Sequence, residues 1–304
     1  AGRRVKEILE DAKIEVNYSL VKSSTVEEVG MVERQIEKEK PEVVLGIGGG
    51  TKIDVAKLSS ARVGVPFISI PTTASHDGIA SPVASIKGLS KPYSVMAQSP
   101  MAIIADTEVI IKADYRFTAS GCGDVIAKLT AVRDWKLAHM VKNEYYGEYA
   151  ASLALMSSRL IVRNADLIRP DSNEGLRVLL EALISCGVAM SIAGSSRPCS
   201  GSEHLFSHAL DLIGSKYAMH GEQCGVGTII MGYLHRINWR KIRETLEKVG
   251  APTTAEELKV EPEKVIEAII KAKDVRPDRY TILNEKQLSR ESAEKIAKIT
   301  GVIN

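Results

Sequence analysis

Four side chains with metal-binding chemistry lie in three short, glycine-containing segments of this 304-residue chain. Asp124 ends a Gly-Cys-Gly-Asp segment, His204 and His208 lie in Gly-Ser-Glu-His-Leu-Phe-Ser-His, and His220 opens His-Gly-Glu. His204 and His208 are four residues apart and so share one face of a helix. An aspartate with two imidazoles suits Zn²⁺ and leaves coordination positions open for a substrate. The segments predict a metal site, although a lone histidine is more often structural.

Two details limit this interpretation. The His-x-x-x-His spacing lacks the glutamate that follows the first histidine in zincin proteases. Cys224 offers a softer ligand four residues after His220, but a buried cysteine that packs a helix is the commoner case.

A glycine-rich loop stands earlier in the chain, between a strand pattern and a helix pattern. The apolar run 43–47 leads into Gly48-Gly49-Gly50, and the helical pattern follows from Thr51. Glycines let a backbone approach a pyrophosphate closely, and the helix N-terminus supplies free N–H groups. The dinucleotide fingerprint is incomplete because Thr51 stands where its third glycine belongs. Taken alone, the loop is equally well explained as a plain strand-to-helix turn.

A second polar loop follows the next apolar run. It reads Pro-Thr-Thr-Ala-Ser-His-Asp-Gly over residues 71–78, with Ser81 just beyond. Ligands of open α/β sheets bind at the carboxyl ends of parallel strands. Two such loops after neighbouring strands therefore favour a shared nucleotide crevice over two unrelated turns.

The composition is that of an ordinary globular protein, with 44% hydrophobic residues, 26% charged residues and a formal net charge of +2. This charge gives no reason to expect binding to nucleic acid or to a membrane surface. Four cysteines without a Cys-x-x-Cys pair predict reduced thiols and a cytoplasmic protein. We expect neither a signal peptide nor a membrane-inserted helix. A homo-oligomer is left open.

The first part of the chain alternates helical and strand patterns, typical of a parallel sheet covered on both faces. Strands are predicted at 14–16, 43–47, 67–70 and 102–105, and helical stripes begin at Val5 and Val26. The strand that normally opens such a unit is missing and the chain begins with Ala1, so we expect a segment before it. Residues 1–112 are thus predicted to form a Rossmann-like α/β dinucleotide-binding domain.

From about Asp114 onward, long helical patterns follow one another without a clear strand. They cover roughly 122–140, 145–166, 174–194, 202–213 and 224–235, followed by a charged amphipathic tail. Residues 113–304 are predicted to form an all-helical domain that binds the metal and the substrate.

Taken together, the motifs resemble those of the sn-glycerol-1-phosphate dehydrogenase family. This family belongs with glycerol dehydrogenase, iron-type alcohol dehydrogenases and 3-dehydroquinate synthase, and the resemblance runs from about residue 43 to residue 304. It implies a dehydroquinate synthase-like fold. Val83 departs from the pattern, because close relatives are expected to carry a basic residue there.

The resemblance also implies roles for individual residues. Asp124, His204 and His220 match the metal ligands. Asp77 matches a carboxylate that contacts the substrate, and His208 matches a histidine that either contacts the substrate or supports a metal ligand; both are expected to act with Asp124 in catalysis. The positions that match cofactor-binding residues are Gly49, Gly50, Thr51, Lys52, Ile53, Asp54, Thr72, Thr73, Ala74, Ser75 and Ser81.

The activity implied by the family is reduction of dihydroxyacetone phosphate by NADH or NADPH to sn-glycerol 1-phosphate, the backbone of archaeal membrane lipids. Zn²⁺ would polarise the ketone, with His208 or Asp77 in a proton relay. Lys128 and Arg197 are candidates for the substrate phosphate, with a surface ion pair as the alternative role of each. Three alternatives stay open: a non-redox lyase of the dehydroquinate synthase type, a glycerol dehydrogenase for unphosphorylated substrates, and a non-catalytic nucleotide-binding module.

Overall fold

The structure, a computed structural model, describes residues 1–88, 94–214 and 217–304. The chain divides into two compact units. The first unit comprises Ala1–Ala74 and Gly78–Asp114, and the second comprises Ser75–Asp77 and Tyr115–Asn304. The first contains helices and a parallel sheet and the second is helical, which confirms the predicted fold class.

The first unit contains four helices and five short strands among its described residues. In chain order they are α1 (Gly2–Asp11), α2 (Val26–Glu39), β1 (Val44–Gly48), α3 (Gly50–Val63), β2 (Phe67–Pro71), β3 (Val83–Ala84), β4 (Val95–Met96), β5 (Ala102–Ile103) and α4 (Thr107–Ile110).

A parallel sheet of three strands forms the centre of this unit, in the order β1-β2-β5. The register between β1 and β2 runs from Val44 opposite Phe67 to Gly48 opposite Pro71, so both strands end at the same edge. Apolar side chains of α2 and α3, including Val29, Val32, Val55 and Leu58, form a buried cluster. Three of the four predicted strands are confirmed.

The predicted strand at 14–16 is wrong. Lys13, two residues past the end of α1, has a left-handed conformation with φ of 63°, and the amide of Ile14 donates to the carbonyl of Leu9. Ile14 is 52% exposed. No strand among the described residues pairs with this run of three, so its backbone groups are not satisfied as in a strand and the segment continues as irregular chain. The antiparallel pair β3 and β4 was not predicted, because two residues are too few for an alternating pattern.

Ten helices build the second unit, and its described residues contain no strand. They are α5 (Tyr115–Ile126), α6 (Lys128–Lys142), α7 (Glu148–Arg163), α8 (Asn173–Ala193), α9 (Ser202–Leu212), α10 (His220–Leu234), α11 (Trp239–Lys248), α12 (Pro262–Val275), α13 (Ile282–Glu285) and α14 (Arg290–Ile299). The predicted helix at 122–140 corresponds to parts of two helices, because α5 ends at Ile126 and α6 begins at Lys128.

Among the described residues, α8 alone has the length and apolar composition of a membrane span. Half of that apolar window is buried, because α8 packs against α5 and α7 inside the unit. The four cysteines are free and buried, as expected of reduced thiols.

Candidate functional site

Three helices of the second unit bring the predicted metal ligands together. Asp124 lies near the end of α5, His204 in the first turn of α9, and His220 at the first position of α10. Ligand atoms of these three residues and of Cys224 all lie within 4.8 Å of one another. Asp124 and His204 are buried and His220 is half-buried. The cluster therefore contains the aspartate and two imidazoles that suit Zn²⁺, with a thiol beside them.

Glycines next to the ligands allow this approach. A Cβ atom on Gly123 would overlap the carbonyl oxygen of Gly221, and one on Gly221 would overlap that of Ser120. The backbones of α5 and α10 therefore touch where Asp124 and His220 project. Any larger residue at either glycine would move Asp124 and His220 apart.

The carboxylate of Asp124 is held by two further groups. The amide of Asp77 donates to Oδ2 at 2.8 Å, and Nζ of Lys128 donates to Oδ1 at 2.7 Å. Lys128 also pairs with Asp77 at 2.8 Å. Burial alone would raise the pKa of Asp124, but Lys128 and a hydrogen bond from His204 hold it well below its usual range. Lys128 is fully buried between two carboxylates, so its expected role as a phosphate-binding cation is wrong.

His204 is surrounded by acidic groups. Its Nδ1 lies 2.8 Å from Oε1 of Glu203, and its Nε2 lies 3.5 Å from Oδ1 of Asp124. Burial opposes a charge on this ring, but Cys224, Asp124 and Glu203 raise its pKa well above the ordinary value. Without a metal, His204 therefore carries the proton that a metal would displace.

His220 has neutral hydrogen-bonding partners instead. Its Nδ1 lies 3.1 Å from Oγ of Ser207. The hydroxyl of Ser207 donates to the side-chain oxygen of Gln223 at 2.6 Å, and the side-chain amide of Gln223 donates to Asp211. Ser207 can then only accept from His220, so the proton sits on Nδ1 and Nε2 is free to bind a metal. Burial and the charge on His204 hold the pKa of His220 well below its usual range.

His208 stacks on His220, with ring centroids 5.8 Å apart. Burial, then the charges of His204, Arg276 and Arg279, lower the pKa of His208 to about 3. Its imidazole is therefore neutral near pH 7 and can hydrogen-bond a substrate, but it stores no proton to give away. Sequence patterns had not identified the two arginines.

Arg197 does not fit its expected phosphate-binding role. It is 4% exposed, pairs with Glu144 through Nε at 2.5 Å, and donates to the carbonyl of Tyr280 at 3.0 Å. Arg279 is also buried and donates to the carbonyl of Ser200 and to Ser196, just before α9. Burial, with help from Arg276 and Arg197, lowers the pKa of Arg279 to about 9.

The two predicted nucleotide loops lie side by side in the first unit. The amide of Thr72 donates to the carbonyl of Gly48 at 3.0 Å, and a Cβ atom on Gly49 would lie 3.3 Å from Oγ1 of Thr73. Gly48 has φ of 144°, a conformation that L side chains rarely adopt. Gly49 precedes the first turn of α3, whose free amides can bind an anion.

The other predicted cofactor residues differ in their accessibility. Gly50, Thr51, Lys52, Thr72 and Thr73 are half-buried, whereas Ile53, Asp54, Ala74 and Ser81 are buried. The two carboxylate oxygens of Asp54 accept from Lys57 at 3.2 Å and from the amide of Ser85 at 3.0 Å, so they are used within the unit.

Ser75 belongs to the second unit, where its carbonyl accepts a hydrogen bond from Ser120 at 3.2 Å. Asp77 belongs to the same unit, and its backbone amide donates to the carboxylate of Asp124 in the predicted metal site. The loop at 71–78 therefore contributes to both units.

Comparison with known proteins gives consistent relatives. A family model described as iron-containing alcohol dehydrogenase matches residues 1–113. The chain is 59% identical over 303 residues to the glycerol-1-phosphate dehydrogenase [NAD(P)+] of Pyrococcus furiosus, covering 100% of this chain and 87% of the relative. It is 55% identical over 304 residues to the enzyme of that name from Methanosarcina mazei, covering 100% and 85%.

Solved structures with the same fold have low sequence identity. Glycerol dehydrogenase from Schizosaccharomyces pombe superposes with a TM-score of 0.79 at 20% identity, covering 99% of this chain and 79% of the other. A probable glycerol dehydrogenase from Sinorhizobium meliloti gives 0.77 at 18% identity, covering 98% and 90%.

Proposed function

We propose, because this chain belongs to the glycerol-1-phosphate dehydrogenase family, that it reduces the ketone of dihydroxyacetone phosphate with NADH or NADPH to give sn-glycerol 1-phosphate. The product supplies the glycerol backbone of membrane lipids. The observation that carries the proposal is the convergence of Asp124, His204 and His220 to within 4.8 Å in a chain with these relatives. The predicted cytoplasmic location stays a prediction.

The metal is proposed to be Zn²⁺, held by Asp124, His204 and His220. The donor set fits, since Nε2 of both imidazoles is free to ligate once His204 gives up its proton. When bound, the ion supplies a Lewis acid that stabilises negative charge on the ketone oxygen as hydride arrives.

The remaining residues of the cluster orient the substrate and manage protons. His208 is neutral and offers a hydrogen-bonding nitrogen beside His220. Asp77 lies at the edge of the cluster, where its carboxylate pairs with Lys128. Burial lowers the pKa of Lys128, but Asp124 and Asp77 raise it well above its usual value, so Lys128 is a poor proton donor. A relay through Asp77 or His208 must therefore take its proton from solvent.

We assign the cofactor and the substrate to different units. The paired loops of the first unit, Gly49–Asp54 and Thr72–Ala74, are assigned to NAD(P)H because they combine flexible glycines with free helix amides. The second unit is assigned the metal and the substrate. For the substrate phosphate, Arg276 and Arg279 replace the two cations expected from the sequence, because both lie close enough to His208 to lower its pKa.

The test is a comparison of dihydroxyacetone phosphate with dihydroxyacetone. Cationic groups that orient a phosphate are left desolvated and unpaired when it is missing, at about 1–3 kcal/mol each. Two or three such groups reduce kcat/KM for dihydroxyacetone by about 10³-fold. Similar kcat/KM values for the two substrates would overturn the phosphorylated-substrate assignment.

The same assay separates the alternatives. A dehydrogenase consumes NAD(P)H in proportion to the substrate, whereas a non-redox lyase retains its cofactor and leaves the absorbance unchanged. A coupling enzyme specific for sn-glycerol 3-phosphate must leave the product untouched. If it consumed the product, the hydride would have reached the opposite face of the ketone.

A further inference from the structure

Glu203 contacts the imidazole of His204, one of the proposed metal ligands. It does so at Nδ1, the ring nitrogen on the side away from the proposed metal position. Its Oε1 accepts from Nδ1 of His204 at 2.8 Å, while Nε2 of the same ring points toward Asp124. We propose that Glu203 is a positioning residue that fixes the tautomer of His204 and strengthens its bond to the metal. This inference rests on the metal site of the proposed function.

The carboxylate of Glu203 is rigidly held. It is fully buried, its Oε1 also accepts from the amide of Gly201 at 2.7 Å, and its Oε2 accepts from Oγ1 of Thr130 at 2.6 Å. Thr130 belongs to α6 and Gly201 precedes α9, so two separate elements aim the carboxylate at His204. A side chain held at both oxygens cannot turn away, and the imidazole it bonds is held with it.

The charge of Glu203 has one partner. Within the described part of the chain, its ion pair is with His204 and with no lysine or arginine. Burying a carboxylate without a strong cation nearby is costly. A metal held by His204 supplies that positive charge through the ring, and the carboxylate in turn makes the imidazole a better donor.

The second histidine ligand differs in this respect. Ser207, a neutral partner, accepts from His220, and the carboxylate two residues after His220 belongs to Glu222. Glu222 is as buried as Glu203, but it pairs with Arg116 and accepts from the amide of Met219 instead of contacting the imidazole. Glu222 is therefore an internal control for Glu203, because it is a buried glutamate near His220 that does not contact the imidazole.

The decisive experiment measures Zn²⁺ affinity by chelator competition in the full chain carrying E203Q, E222Q or T130V. The side-chain amide introduced by E203Q would still accept from Gly201 and His204 through its oxygen. Its nitrogen would donate to Thr130, whose proton can turn to the carbonyl of Ala127 at 3.0 Å. E203Q therefore removes charge with little change of shape.

We expect E203Q to weaken Zn²⁺ binding about 10- to 100-fold and E222Q to leave Zn²⁺ binding unchanged. T130V, which frees one oxygen of Glu203, should fall between the two.

A spectroscopic signature accompanies the affinities. In the Co²⁺-substituted protein, the visible absorption bands should shift in E203Q and stay in place in E222Q, because only Glu203 contacts a ligand ring. Wild-type affinity and spectrum in E203Q, or equal losses in E203Q and E222Q, would overturn the role of Glu203. If E203Q did not fold, wild-type affinity in T130V would overturn it instead. Absence of stoichiometric metal in the wild-type protein would contradict the proposed metal site itself.

Discussion

Nζ of Lys128 lies 2.7 Å from Oδ1 of Asp124, and both side chains are fully buried. The same ammonium pairs with Asp77, so one lysine bridges two carboxylates beside the cluster of Asp124, His204, His220 and Cys224. In the absence of a metal, Lys128 and the protonated His204 supply the positive charge of the cluster. A divalent cation at Asp124 would take over part of that task.

Replacing Lys128 with Met should destabilise the metal-free protein more than the metal-loaded one. Removing one partner of a buried ion pair costs about 3–5 kcal/mol, since the remaining charge is uncompensated. Bound Zn²⁺ should restore part of this loss. Denaturant unfolding with and without Zn²⁺ measures the difference, and Lys136→Met on the exposed face of α6 serves as the control. Equal losses in both states would show that Lys128 does not share the charge of Asp124 with the metal.

Substitutions of the three histidines should separate ligands from neighbours. His204→Ala and His220→Ala remove donors of the cluster and should abolish bound Zn²⁺ and activity together. NAD(P)H binding should survive, because the first unit needs no metal. His208→Ala should keep most of the metal and lose rate, since His208 hydrogen-bonds the substrate in our assignment. Elemental analysis and fluorescence titration with NADH provide the measurements; equal metal loss at all three positions would mean that His208 is also a ligand.

Gly221→Ala should lower the stability of the protein and disturb the packing around the side-chain cluster that contains Asp124 and His220. The added methyl group would overlap the carbonyl of Ser120, so α10 must move away from α5 and carry His220 with it. Overpacking of this kind costs about 1–3 kcal/mol. Gly30→Ala in α2 is the matched control, because its Cβ would meet only the end of Arg34 at 3.6 Å. Unfolding free energies and Zn²⁺ content that match the wild type in Gly221→Ala would contradict the close packing.

Gly49→Val should weaken binding of the nicotinamide cofactor without changing the Zn²⁺ content. A β-branched side chain at this position would crowd Thr73 and fill the space in which a pyrophosphate approaches the loop. We expect NADH and NADPH affinities to fall at least 100-fold, about 2.7 kcal/mol, with the Zn²⁺ content unchanged. Calorimetric titration tests this; unaltered binding in a folded variant would move the nucleotide site elsewhere.

Local patterns in the sequence were enough to predict several features. The apolar run 43–47, the glycines after it and the helix pattern from Thr51 predicted a strand, a turn and a helix in the right order. Because parallel strands end at the same edge, the sequence also predicted that the two loops would be neighbours. The four-residue spacing of His204 and His208 placed them on one face of α9. Each of these follows from backbone geometry over a few residues.

The partners of the site residues depended on the tertiary structure. Lys128 and Arg197 were candidates for the substrate phosphate, yet they pair with Asp77 and Glu144, which are 51 and 53 residues away along the chain. Glu203 was part of a recognised motif, but its function depends on Thr130, which lies 73 residues earlier. Ion pairs and hydrogen bonds of buried groups act over a few ångströms, and periodicity along the chain carries no information about which distant segments come that close.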